Sequence, residues 1–226
     1  MTIHAGNRYE NIITEISGLN WDSLNRDDLI AVSNAYYYFS TQFRESLEAA
    51  CELYPSDPKL MELRAGECDT DNLCPYPGIA EAGEKMNHDE FMRRVVAMSS
   101  MDPAARRRVA GLGESYLAGT RKLDRLTQAM SISSYEDGGL EKVFRAILRA
   151  PDWDEPSLQA FRHFLVEHIR LDSGPGVQHG ALCRHLIADD RIMPLWSAFK
   201  RILIESAPRL AEAAATPGLV TEGAVG

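Results

Sequence analysis

The chain has 226 residues, with 24 Lys and Arg set against 33 Asp and Glu, a formal charge of −9. That acidic balance excludes a nucleic-acid backbone as main partner, since phosphate binding needs clustered surplus cations. No apolar run reaches the roughly 18 residues that cross a bilayer, so no membrane partner is expected. Residues 1–20 lack the basic and apolar blocks of a secretory leader.

A hydrophobic content of 45% and this length suffice for one domain with a full core. Cys51, Cys68, Cys74 and Cys183 contain no C-x-x-C pair, so reduced thiols and a cytoplasmic location are expected.

Helical periodicity dominates, and no Asn-Gly or Asp-Gly turn joins two alternating runs. A long helix is expected from 26 into the low 50s, capped by Asn25 and closed by Pro55. Asp57-Pro58 opens the next, over 59–71. The breaker-rich stretch Cys74-Pro75-Tyr76-Pro77-Gly78 follows. It reads either as a loop over a site mouth or as a rigid connector. Further helices are expected over 87–99 and from Asp102-Pro103 towards Met130, with an interruption near Gly111 and Gly113. Shorter ones follow over 136–149, 156–171, 177–188 and 192–210. Residues 213–226 read as a disordered tail. The expected architecture is an all-α bundle, with residues 1–212 as a single domain.

Rotating each helix at about 100° per residue places ionisable groups on apolar stripes. His168 and Asp172 share the inward stripe of Phe161, Phe164 and Leu165, while His163, Glu167 and Arg170 face outward. His88 lines up with Phe91, Met92 and Val95. Glu136 precedes Leu140, Val143 and Ile147 by one turn. His179 lines up with Leu182, Cys183 and Leu186, and Glu67 continues the stripe of Leu60 and Leu63.

A single inward His is ordinarily a core residue. Three inward His and three inward carboxylates need pairing or a cation, because burying an isolated carboxylate costs several kcal/mol or more. The same faces carry almost no Lys or Arg. This mixture suits non-haem iron or manganese better than structural zinc, and two carboxylate-rich halves suit a dinuclear centre. A ferritin-like site is a poor match, since it needs Glu-x-x-His steps and none is present.

Other features read plainly. Tyr36-Tyr37-Tyr38-Phe39 is core packing or a substrate-pocket wall. Arg106-Arg107-Arg108 is a solvated face near a helix start. Cys183 is a buried inert thiol.

The run Phe164-Leu165-Val166-Glu167-His168-Ile169-Arg170-Leu171-Asp172, followed by His179-Gly180, resembles the signature helix of the haem-oxygenase-like diiron oxidase and oxygenase family. Glu67, His88 and Tyr135-Glu136-Asp137 precede it in the family's order, so the resemblance covers roughly 28–205. It implies a haem-oxygenase-like helical bundle with two Fe(II) ions. Glu67, His88 and His179 would gather around one, and His168 and Asp172 around the other. Glu136 would lie between them, as a bridge or a second-iron ligand.

Six residues separate Asp172 from His179, where the family commonly has two. His179 therefore regains the face only if Gly174-Pro175-Gly176 loops out, with His185 as the weaker substitute. Glu81 and Glu84 remain alternatives to Glu67, which is preferred because Gly83 and Asn87 weaken a helix through 81–88. Some family members use a carboxylate of the first long helix, but Glu45, the nearest candidate, points away from the stripe.

The resemblance further implies an O₂-dependent oxidase or oxygenase acting on an amino-acid-like small molecule. The expected reactions are N-oxygenation, C–C cleavage, desaturation or nitrile formation in specialised metabolism. An external electron donor and a homodimer belong to the same expectation. Two other readings stand beside it. One is a metal-free enzyme of the same fold, similar to thiaminase-type hydrolases or cofactorless oxidases. The other is a non-catalytic metal-binding helical protein.

Overall fold

A computed structural model describes residues 8–173 and 179–212, the side chains of Asp172 and Ser173 excepted. The expected loop at Gly174-Pro175-Gly176 and the tail at 213–226 lie outside the described residues. The described part is all-helical, and none of its helices is long and apolar enough to cross a membrane.

The axis of the bundle is α2 (Arg26–Leu53), 28 residues and about 42 Å long. It starts where expected because Asn25 and Asp28 close a reciprocal cap. The Asn25 side chain accepts from Asp28 N, and the Asp28 carboxylate accepts from Asn25 N. Large residues on one side (Leu29, Tyr36, Phe39, Phe43, Leu47) and small ones on others (Ala31, Ser33, Ala35, Ala49, Ala50) are all buried. The small ones let neighbours approach from several directions.

Those neighbours are α3 (Pro58–Glu67), α4 (His88–Met98), α5 (Pro103–Thr120), α6 (Arg125–Ser134), α8 (Pro156–Ser173) and α10 (Met193–Ser206). Asp57 caps α3, Asp102 caps α5 and Asp124 caps α6, each accepting from first-turn backbone N–H groups.

An N-terminal helix that the sequence reading omitted, α1 (Arg8–Ser17), buries Tyr9, Ile12, Ile13 and Ile16 against α7 (Leu140–Ile147) and α10. Those positions follow the i, i+3, i+4, i+7 pattern of one helical face. Trp21 then folds back, its Nε1–H donating to Ile16 O.

Three expectations are corrected. The helix expected over 59–71 stops at Glu67, and Asp69 enters the left-handed region at φ 57°. Residues 68–87 then form a strap, held by antiparallel bridges between Thr70 and Met86 and between Tyr76 and Ala80.

The break expected at Gly111 and Gly113 falls instead at 121–124, between α5 and α6. Gly113 is there for close approach, since a Cβ would lie 2.2 Å from the Tyr38 ring.

Arg106 and Arg108 are not simply solvated. Arg106 donates to Val96 O and Ser99 O at the end of α4, and Arg108 to Glu205 O and Ser206 O at the end of α10. Both satisfy carbonyls that helix ends leave open.

Between α6 and α7 the chain makes a π-helical turn, Tyr135–Gly139, with Asp137 and Gly138 out of helical geometry and Gly138 at φ 86°. Glu136 therefore sits just ahead of a kink between α6 and α7, not at the start of a regular helix. The short α9 (His179–Cys183) packs on this turn and on α3.

Candidate metal centre

Five of the six expected ligands converge. Glu67 is the last residue of α3, His88 the first of α4, Glu136 lies in the π turn, His168 on α8 and His179 at the start of α9. All five are buried, none more than 9% exposed. Asp172, the sixth, falls in the last turn of α8, and its side chain is outside the described residues.

The five form two triads sharing one carboxylate. Glu67, His88 and His168 make one, and Glu67, Glu136 and His179 the other, with the donor atoms of each within 4.8 Å of one another. Glu67 Oε2 lies 2.6 Å from His88 Nδ1, which lies 2.9 Å from His168 Nε2. His179 Nδ1 lies 3.1 Å from Glu67 Oε1 and 3.2 Å from Glu136 Oε2.

This corrects the expected partition, in which His179 joined His88 and Glu136 lay between the two halves. Packing decides it. Direct contact of α4 with α8 brings His88 to His168, and contact of α9 with the π turn brings His179 to Glu136. Glu67 is the carboxylate common to both triads.

The proton positions follow from the partners. His168 Nδ1 lies 2.7 Å from Phe164 O, and a carbonyl only accepts, so Nδ1 carries the hydrogen. In the neutral ring Nε2 is then bare. Burial, with His88 beside it, pushes the His168 imidazolium down to about 3.

His88 Nε2 lies 2.9 Å from Asn72 Oδ1, and Asn72 Nδ2 donates to Gly66 O at 2.9 Å. The Asn72 amide is thereby oriented oxygen-first, and His88 Nε2 carries a hydrogen. The other ring nitrogen, Nδ1, faces the Glu67 carboxylate and the bare nitrogen of His168.

Burial alone would raise Glu67, but His88 and His179 outweigh it and hold its carboxyl well below the usual range. Glu136 is raised, by burial and by the Glu67 charge, against the pull of His179. Burial would lower His179, yet its contacts with Glu136 and Glu67 hold it up at about 11. Among the described residues, no Lys or Arg pairs with either carboxylate.

Glu67 Oε1 also lacks a hydrogen-bond donor. His179 Nδ1, 3.1 Å away, is its ion-pair partner. A buried carboxylate beside converging imidazole nitrogens offers the kinds of donor atom that a divalent cation takes.

The second-choice groups lie elsewhere. Glu84 pairs with Arg94, Glu81 is exposed, Glu45 pairs with Arg121, and half-exposed His185 pairs with Asp57. His163 is not simply outward. It is half-buried, donates Nε2–H to Leu73 O at 3.1 Å and packs on Tyr76.

A cavity of about 20 Å³ adjoins the cluster, room for one water-sized molecule. Tyr36, Phe39, Ser40, Phe43, Leu140 and Phe164 wall it, with Glu67, His88, Glu136 and His168 alongside. Larger hollows of about 260 and 470 Å³ lie elsewhere, and no cluster residue lines them.

The sequence reading missed two contributors. Asn72 lies in the strap, where no periodicity marks a face. Gly66 makes room for His179, since a Cβ there would lie 3.1 Å from Nε2.

No family model, curated protein or solved structure matches the chain.

Proposed function

We propose that this chain is a non-haem diiron oxidase or oxygenase of haem-oxygenase-like architecture, acting with O₂ on an amino-acid-like small molecule. The observation that carries the reading is the shared carboxylate. Glu67 Oε2 lies against His88 and Oε1 against His179, and the carboxylate belongs to both triads of a buried cluster. Bridging carboxylates between two N/O donor sets offset the charge of paired cations.

Glu67, His88 and His168 would hold one iron, and Glu67, Glu136 and His179 the other. Bound iron supplies the redox chemistry that lets O₂ oxidise an otherwise unreactive substrate. The chain's own part is positional. Three protein groups on each side leave positions for exogenous molecules. Phe164 O fixes the ring of His168, and the aromatic wall of Tyr36, Phe39, Phe43 and Phe164 keeps water out. The cavity as it stands takes one water-sized molecule, so an amino-acid-like substrate requires the side chains of this wall to move apart.

Anaerobic Fe(II) titration tests this. The expected result is saturation near two equivalents, followed by O₂ uptake that rises with one member of an amino-acid panel. Iron uptake with no O₂-dependent turnover across the panel would leave a storage or binding protein. Absence of saturable uptake would return the His and carboxylate groups to acid–base work in a metal-free enzyme.

A further inference from the structure

The strap at 68–87 reaches the cluster through Asn72, whose Oδ1 lies 2.9 Å from His88 Nε2. Asn72 is pinned from several sides. Its Nδ2 donates to Gly66 O at 2.9 Å, and its backbone N–H donates to Thr70 Oγ1 at 3.3 Å. The next residue, Leu73, is 2% exposed, and its carbonyl accepts from His163. At the base of the strap Thr70 and Met86 exchange backbone hydrogen bonds of 3.1 and 2.9 Å, and Asp69 N donates to Asn87 Oδ1 at 3.1 Å.

An amide held by its nitrogen can offer only its oxygen, and that oxygen lies 2.9 Å from His88 Nε2. We propose that Asn72 is a positioning residue that keeps hydrogen on His88 Nε2 and fixes the orientation of the ring, aiming Nδ1 between Glu67 and His168. His88 opens α4, and its ring is held by Asn72 Oδ1 on one nitrogen and by Glu67 and His168 on the other. The nitrogen side of the same amide ties the strap to Gly66, against which His179 packs. Outer-sphere partners of a metal-ligating His set its basicity and direction in this way.

The consequence for metal binding rests on the diiron reading, whereas the tautomer does not. The test uses full-length protein labelled with ¹⁵N-histidine, observed metal-free and during titration with Zn(II) as a diamagnetic probe. Wild type is expected to show hydrogen on His88 Nε2. Asn72→Asp, which keeps an acceptor, should retain that signature, and Asn72→Leu should lose it. Zn(II) uptake at the His88–His168 half should weaken about ten- to hundredfold in Asn72→Leu, with the Glu136–His179 half unchanged. Asn72→Ala, which removes the acceptor without added bulk, repeats the test should the Leu variant not fold.

Retention of both signature and affinity in the Leu and Ala variants overturns the proposal, as does equal impairment of the Asp and Leu variants. Wild type that takes up no Zn(II) counts against the metal reading instead. The metal-free tautomer difference still decides the role of Asn72.

Discussion

His88 Nδ1 and His168 Nε2 lie 2.9 Å apart, nitrogen to nitrogen, on helices that pack directly on each other. His168 gives its hydrogen to Phe164 O, so the contact needs a proton contributed from the His88 side, or a cation between the rings. Glu67 Oε2, 2.6 Å from the same His88 nitrogen, adds a third electron-rich atom. On the diiron proposal, a cation takes the place of that proton.

Because Glu67 serves both triads, the two halves should fail asymmetrically on mutation. His168→Ala should keep one of two Fe(II) ions, at the Glu136–His179 half, and His179→Ala should keep the other. Glu67→Ala should lose both while circular dichroism stays helical. Equilibrium dialysis with metal analysis reads all three. An unchanged single-ion affinity in Glu67→Ala would show that the carboxylate is not shared.

Protons should link stability and metal uptake in opposite directions. The contribution of His179, held at about 11 against an ordinary 6.5, is complete below 6.5 and lost as pH rises towards 11. His168, pushed down to about 3, costs nothing above 6.5 and progressively more as pH falls below it. Glu67, held low, loses its contribution below the ordinary carboxylate value of 4.5, and raised Glu136 offsets part of that acid-side loss. Metal-free Tm should therefore peak near pH 6.5. The Tm gain from added metal should grow above that pH, as binding must displace the His179 proton. Thermal scans with and without Zn(II) from pH 5 to 9 measure both, and parallel curves would contradict the linkage.

Gly66 separates stability from function. It lies in α3, where Ala is favoured over Gly by up to about 1 kcal/mol, yet a Cβ would press on His179 Nε2 at 3.1 Å. Gly66→Ala should hold or raise the metal-free Tm while weakening binding at the Glu136–His179 half on the order of tenfold. Calorimetric titration beside a thermal scan checks the pair of effects, and equal binding in both proteins would remove Gly66 from the site.

The two remaining histidines of the described part should differ from each other and leave metal stoichiometry alone. His163→Ala removes the hydrogen bond to Leu73 O and the packing on Tyr76, 4.9 Å between ring centres, at a cost of about 1–2 kcal/mol. His185→Ala removes an exposed pair with Asp57 and should cost less than about 1 kcal/mol. Urea unfolding at fixed pH ranks them.

The inward phase of His88, His168 and His179 was legible because helical periodicity is local, and caps such as Asn25, Asp57 and Asp102 announce helix starts. Their grouping was not legible. Whether His168 meets His88 or His179 depends on which helices touch, and that is set by packing across the whole chain. Glu136 was found by its stripe, but the π turn that aims it was hidden, because Asp137-Gly138-Gly139 fits an ordinary helix start equally well. Asn72 left no signal, being a loop residue whose role rests on the distant Gly66 and His88. The helix at Arg8–Ser17 had a clear Tyr9, Ile12, Ile13 and Ile16 stripe, and reading the N-terminus only for a leader passed over it.

Anomalous diffraction at the iron edge, from crystals loaded anaerobically with Fe(II), addresses the account directly. It predicts two peaks, one bounded by His88, His168 and Glu67 and the other by Glu67, Glu136 and His179. No peak among these five side chains at saturating iron would contradict it.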